Sequence, residues 1–96
     1  MGQQNTITQH LFITGRVQGV GYRHWTVGQA RKRNIHGWVR NLHDGRVEAI
    51  LHGAEEAVDD MLTACYKGPT FAKVTDITAT AGEYNGPDSF EEKPTA

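Results

Sequence analysis

Between Gly15 and Arg23 the hydrophobic period of the chain changes, and that change restricts the fold more than any other feature. Upstream, after the polar lead-in Gln3 to Asn5, the run Ile7 to Val17 places Ile7, Leu11, Ile13 and Val17 on one parity. Thr8, His10, Phe12 and Thr14 take the other, which marks a strand with one buried and one open face. Downstream, Tyr22, Thr26, Val27 and Ala30 recur at helical spacing over Tyr22 to Arg33. Gly19 and Gly21 stand between the two patterns and let the chain turn with successive N–H groups facing one point. The first N–H groups of a helix also lack intrahelical acceptors, so the junction suits a phosphate or a carboxylate. Arg23 opens the helix, where its planar fork adds a charge-assisted grip on the same anion. A tight strand-to-helix turn with no ligand is the competing reading of the glycines alone.

The period changes again further along. Ile35 to Leu42 and Arg46 to His52 are short strands, joined through Leu42-His43-Asp44-Gly45 as an antiparallel hairpin. Ala54, Ala57, Val58, Met61, Leu62 and Cys65 then fall on one helical face. Glu55 and Glu56 in the first turn and Lys67 in the last suit the helix dipole, and Gly68-Pro69 stops the helix. Cys65 is thereby a core thiol, not a nucleophile. Lys73 to Ala81 alternates weakly, with Val74 and Ile77 on opposite parities, and its β-branched content decides for a strand. Glu83 to Asp88 is a loop, and Phe90 to Thr95 adds a short strand limited by Pro94. The order is β-α-β-β-α-β with a small extra strand: an α+β, ferredoxin-like split β-α-β sandwich with both helices on one face of a mixed sheet. A right-handed crossover makes the first strand and Trp38 to Asn41 expected neighbours. In the first helix Gly28 costs about 1 kcal/mol relative to alanine. Asn34 ends that helix by tolerating the left-handed conformation, and Trp25, off the apolar stripe, is expected to lid neighbouring loops.

A chain of 96 residues with 38% hydrophobic content makes one domain, 1–96. One cysteine excludes an internal disulfide. A net charge of −1 argues against a nucleic-acid partner, and an RNA-binding sheet would need stacking aromatics where only Phe12 qualifies. No apolar run is long enough for a membrane span, so the expectation is no membrane partner and a cytoplasmic, monomeric protein. Met1 to Thr6 fits the loose myristoylation pattern, which without a following basic cluster reads as chance. His10, His24, His36, His43 and His52 show no helical i, i+4 pair and no cysteine partners, so neither a metal nor another cofactor is expected.

The full wording Gly15-Arg16-Val17-Gln18-Gly19-Val20-Gly21-Tyr22-Arg23 resembles the acylphosphatase motif Gly-x-Val-Gln-Gly-Val-x-Phe/Tyr-Arg at every fixed position. Gly37-Trp38-Val39-Arg40-Asn41 and Asp44-Gly45-Arg46-Val47 resemble the same family at its spacing, and the likeness runs on through Gly68-Pro69 and Ala72-Lys73-Val74 to Phe90. Arg33 departs from the family, which usually has an apolar residue there; its methylenes are expected to cover the core edge. The resemblance implies hydrolysis of a small-molecule acyl phosphate to a carboxylate and inorganic phosphate. Arg23 and the amides of Gln18, Gly19, Val20, Gly21 and Tyr22 would bind the phosphate, and Asn41 would orient the attacking water. An acyl phosphate suits a site without nucleophile, metal or general base, because its leaving carboxylate has a conjugate acid of pKa roughly 4 to 5. Arg16 and Gln18 are assigned to shaping the loop and Arg40 to solvent. Other roles stay open: Arg23 pairing with Asp44 or Glu48, Asn41 bonding backbone, and the whole chain serving as a non-catalytic anion-binding module. Asn41 separates the two functions, since a mere binder has no use for a water-positioning amide.

Overall fold

A strand with one apolar parity needs a cover on that face, and two amphipathic helices supply it here. In the computed structural model, which describes residues 5–96, the elements run β1 (Thr6–Arg16), α1 (Tyr22–Lys32), β2 (His36–Asn41), β3 (Val47–Ala54), α2 (Glu55–Lys67), β4 (Lys73–Ala81) and β5 (Phe90–Glu92). The five-stranded sheet has the order β4-β1-β3-β2-β5. Its pairs are antiparallel except β2 with β5, which is parallel, so the sheet is mixed as expected. The fold is the ferredoxin-like α+β sandwich. The myristoylation pattern centres on residues 1–4 and lies outside the described residues.

Leu11, Ile13 and Val17 of the first apolar parity are buried, and they meet Val39, Val47, Ala49 and Leu51 from β2 and β3. From above, α1 contributes Tyr22, Thr26 and Ala30, and α2 contributes Val58, Met61 and Cys65. Each larger apolar side chain so buried stabilises by about 1.5–3 kcal/mol before entropy is counted. Thr26 enters this stripe because its hydroxyl donates to the Tyr22 carbonyl at 2.8 Å, leaving no donor unpaired. Asn34 ends α1 with φ 56°, the left-handed conformation expected of it. Arg33 does more than cover the core edge: its Nε donates to Asp60 at 2.7 Å and its Nη1 to Gln29, tying α1 to α2.

Two sequence expectations change in three dimensions. The first strand and β2 are not neighbours, because β3 lies between them. Strand β4 also departs from simple alternation. Ile77 pairs with Ile13 and Val74 with Gly15, with a register shift between Thr14 and Gly15. The extra residue turns Val74 and Ile77 to the same core face, which is why their opposite parities looked weakly apolar. Gly15, at φ 129°, makes the irregularity possible: a Cβ there would stand 2.1 Å from the Lys73 carbonyl oxygen.

Candidate active site

The turn after β1 spends its polar groups unevenly. Gly19 and Gly21 take φ 74° and 79°, and neither has a neighbour that a Cβ would strike, so glycine serves the turn here and not packing. Gly21 is the N-cap of α1 and offers no side-chain cap. Trp25 N–H donates to the Gly21 carbonyl at 3.0 Å and starts the helical ladder. Ahead of it, the N–H groups from Gln18 to His24 donate to no backbone or side-chain acceptor among the described residues. These free donors, at the positive end of a helix, are placed as the expected anion cradle would need.

Packing holds the cradle in place. The Tyr22 ring is buried, its hydroxyl donates to the Cys65 carbonyl at 2.6 Å, and burial pushes its phenol pKa up. That bond pins the first turn of α1 to the last turn of α2. Trp25 leans on Tyr22 with ring centroids 5.4 Å apart and borders the Gly68 to Thr70 loop, a half-buried lid as expected. Gln18 shapes the loop by donating Nε2 to the Leu42 and Arg46 carbonyls at 2.8 and 2.9 Å. It bridges from the end of β1 across β3 to the β2–β3 hairpin. This bridge, and not adjacency of β1 and β2, brings Asn41 to the cradle.

The result is a cleft of about 130 Å³ lined by Gly19, Gly21, Arg23, His24, Asn41 and Glu92, among others. It is small beside the 300–1,000 Å³ typical of drug-sized ligand sites and fits an anion such as phosphate. Gln18 and Tyr22 also border it, whereas Val20 does not: its side chain packs on the core. Asn41 Oδ1 is buried and has no hydrogen-bond partner among the described residues. A buried acceptor without a donor is costly, and here it sits at the wall of the cleft.

Arg23 pairs with neither Asp44 nor Glu48. Its Nη1 lies 3.4 Å from Oε2 of Glu92, both side chains being partly exposed. Sequence reasoning missed Glu92. It reaches the cleft because β5 runs parallel to β2, with Glu92 opposite Val39, two residues from Asn41. Arg40 does not face solvent freely: Nε donates to Glu48 at 2.7 Å and its guanidinium lies 4.7 Å over the Trp38 ring. Trp38 accordingly joins Phe12 as an aromatic of the open sheet face. Cys65 is fully buried, and burial pushes its thiol up to about 12, so it has no thiolate to offer. Among the described residues no three His, Cys, Asp or Glu side chains converge on a point where they would hold a metal.

Free N–H donors at a helix start, an arginine and an unpartnered buried amide around one small cleft suit a phosphate-handling domain of ferredoxin-like fold. The acylphosphatase family profile matches residues 9–92. An acylphosphatase of Alcanivorax borkumensis is 51% identical over 84 residues, covering 85% of this chain and 91% of that one. Another, from a Nostoc species, is 47% identical over 91 residues, covering 95% and 90% of the two chains. The crystal structure of the acylphosphatase of Bacillus subtilis superposes with a TM-score of 0.87 at 39% identity, covering 91% of this chain and 98% of that one. The chain belongs to the acylphosphatase family and is an enzyme that hydrolyses acyl phosphates.

Proposed function

We propose that this enzyme holds the phosphoryl group of its substrate with the Arg23 guanidinium and the N–H groups from Gln18 to Tyr22, and places the attacking water with Asn41. Water adds to phosphorus opposite the acyl oxygen as the P–O bond to that oxygen breaks. The carboxylate leaves with the bonding pair, and the proton lost by the water passes to a phosphoryl oxygen. No general acid is needed because a carboxylate is a stable leaving group. The cradle favours this step electrostatically, since its donors are oriented before the substrate arrives. Asn41 contributes placement only: an amide does not titrate in the working range, so it orients the water without taking its proton.

The single observation that carries this reading is the unpartnered Oδ1 of Asn41 at the wall of the phosphate-sized cleft. An anion-binding module leaves such an acceptor unexplained, whereas a bound nucleophilic water satisfies it. Before substrate binds, Arg23 has only a 3.4 Å contact from Nη1 to Glu92 Oε2, which the phosphoryl group displaces. The test is phosphate release from acetyl phosphate by the wild type and by Asn41→Ala, with inhibition by inorganic phosphate measured in parallel. Loss of turnover with retained phosphate inhibition supports the reading; normal turnover in a folded Asn41→Ala protein refutes it. A cytoplasmic monomer belongs to the same proposal. Its support is that the large hydrophobics exposed among the described residues are Tyr66 and Phe71, too little apolar surface for a stable dimer.

A further inference from the structure

Gly28 stands in the middle of α1, where glycine is the poorest helix former short of proline. Neither of the usual reasons for a glycine applies. Its φ is not in the left-handed region, and a Cβ added there meets nothing within 4 Å, so no close approach of backbone demands its absence. What it borders is a second cleft, about 320 Å³, lined by His24, Val27, Gly28, Arg31, Glu91 and Glu92. His24 and Glu92 also line the phosphate cleft, so the two clefts share a wall. The second one runs along α1 from the cradle, with β5 as its other side.

We infer that this groove receives the acyl group of the substrate and that Gly28 sets the size of acyl group it accepts. The inference rests on the placement of the phosphoryl group in the cradle beside it. With phosphorus held by Arg23, the acyl oxygen leaves the cleft past His24 or Glu92, and the acyl carbon enters the groove over Val27 and Gly28. Positions 24, 27, 28 and 31 follow helical spacing, so they form one continuous strip two turns long. The rim carries both signs, with Arg31 against Glu91 and Glu92, and therefore does not select an acyl group by a second anionic charge. Val27 offers an apolar floor, and the missing side chain at 28 leaves width. The class that this shape favours is acyl phosphates with a broad, uncharged acyl group, aromatic or branched, over short ones.

The experiment compares benzoyl phosphate with acetyl phosphate in wild type, Gly28→Ala, Gly28→Leu and Arg23→Ala, with inhibition by inorganic phosphate measured in each. Position 28 is exposed and helical, so alanine and leucine are both expected to fold at least as well as glycine. In Gly28→Leu, kcat/KM for benzoyl phosphate is expected to fall at least tenfold further than kcat/KM for acetyl phosphate, with Ki for phosphate moving less than twofold. Gly28→Ala is expected to shift the same ratio by a smaller factor. An unchanged ratio in Gly28→Leu, with Arg23→Ala losing turnover and phosphate inhibition, overturns the groove and leaves the cradle standing. Equal losses on both substrates with a raised Ki also overturn it, since the side chain would then be acting on the phosphate cleft. Normal phosphate inhibition in Arg23→Ala overturns the cradle and the groove with it.

Discussion

The cradle and the cluster around Glu48 lie on opposite faces of one small sheet and treat polar groups in opposite ways. Glu48 is nearly buried and fully engaged: Oε2 meets His10 Nε2 at 2.6 Å and Oε1 accepts from Arg40 Nε at 2.7 Å. His10 rests on Phe12, and Arg40 on Trp38, so each donor is held by an aromatic ring. At the cradle the N–H groups from Gln18 to His24 lack protein acceptors, Asn41 Oδ1 lacks a donor, and Arg23 has only a long contact to Glu92. A satisfied cluster contributes stability, whereas an unsatisfied one calls for another explanation, which the proposed function supplies as a ligand. Mutations should therefore separate: the cradle should lose rate and keep its fold, and the Glu48 cluster should do the reverse.

Arg23→Ala is the strongest test of that division. One oriented donor to a developing oxyanion is worth about 2.7–4 kcal/mol, or 10²–10³ in rate. A loss of that order or greater in kcat/KM for acetyl phosphate is expected, with a raised Ki for phosphate and an unchanged midpoint in urea. Arg23→Lys is expected to recover part of it, because a point charge lacks the fork. Normal turnover in Arg23→Ala would mean that the free donors serve nothing.

Asn41→Ala comes next, with kcat falling about 10²-fold through loss of placement and with KM and Ki for phosphate nearly constant. The wild-type rate is expected to be level from mildly acidic to neutral pH, since no acid–base pair is used. A pH limb that disappears in His24→Ala would hand the water to His24, which lines the same cleft.

On the other face, Glu48→Gln is expected to cost about 1.5–3 kcal/mol of stability, the worth of hydrogen bonds to a charged group, and to leave turnover intact. Burial alone would raise the Glu48 pKa, but the hydrogen bonds from His10 and Arg40 outweigh it and hold the carboxyl below its ordinary 4.5. The folded state thus binds this proton less readily than the unfolded chain does. The resulting stability is fully present above the ordinary glutamate range and drains away as pH falls through the folded value. Urea midpoints from pH 6 down to pH 3 should fall more steeply in the wild type than in Glu48→Gln. Equal slopes would place the acid sensitivity elsewhere.

Cys65→Ala is expected to have the smallest effect, about 1–2 kcal/mol through a modest core cavity. Turnover should be spared, and thiol-blocking reagents should leave the folded enzyme's rate alone. Loss of activity without loss of stability would contradict a thiol that is fully buried and held protonated.

Local chemistry by itself determined the element order, the hairpin at Asp44-Gly45, the face of α2 and the turn at Gly19 and Gly21. Each depends on periods, caps and φ preferences that act between residues close in the chain. Arg23 and Asn41 stood out too, through the wording of the motifs around them, and the structure brings both to one cleft. Only the tertiary structure decided which strand stands beside which: β3 enters between β1 and β2, and the Gln18 bridge does what adjacency was expected to do. Only it revealed the bulge that turns Val74 to the core, because the irregularity is set by the partner strand and Gly15. Glu92, Arg40 and Trp38 took their places the same way. Arg40 meets Glu48 across the hairpin, but the partner of Glu92 depends on strand pairing across tens of residues, and no local pattern encodes the register that brings it to Arg23.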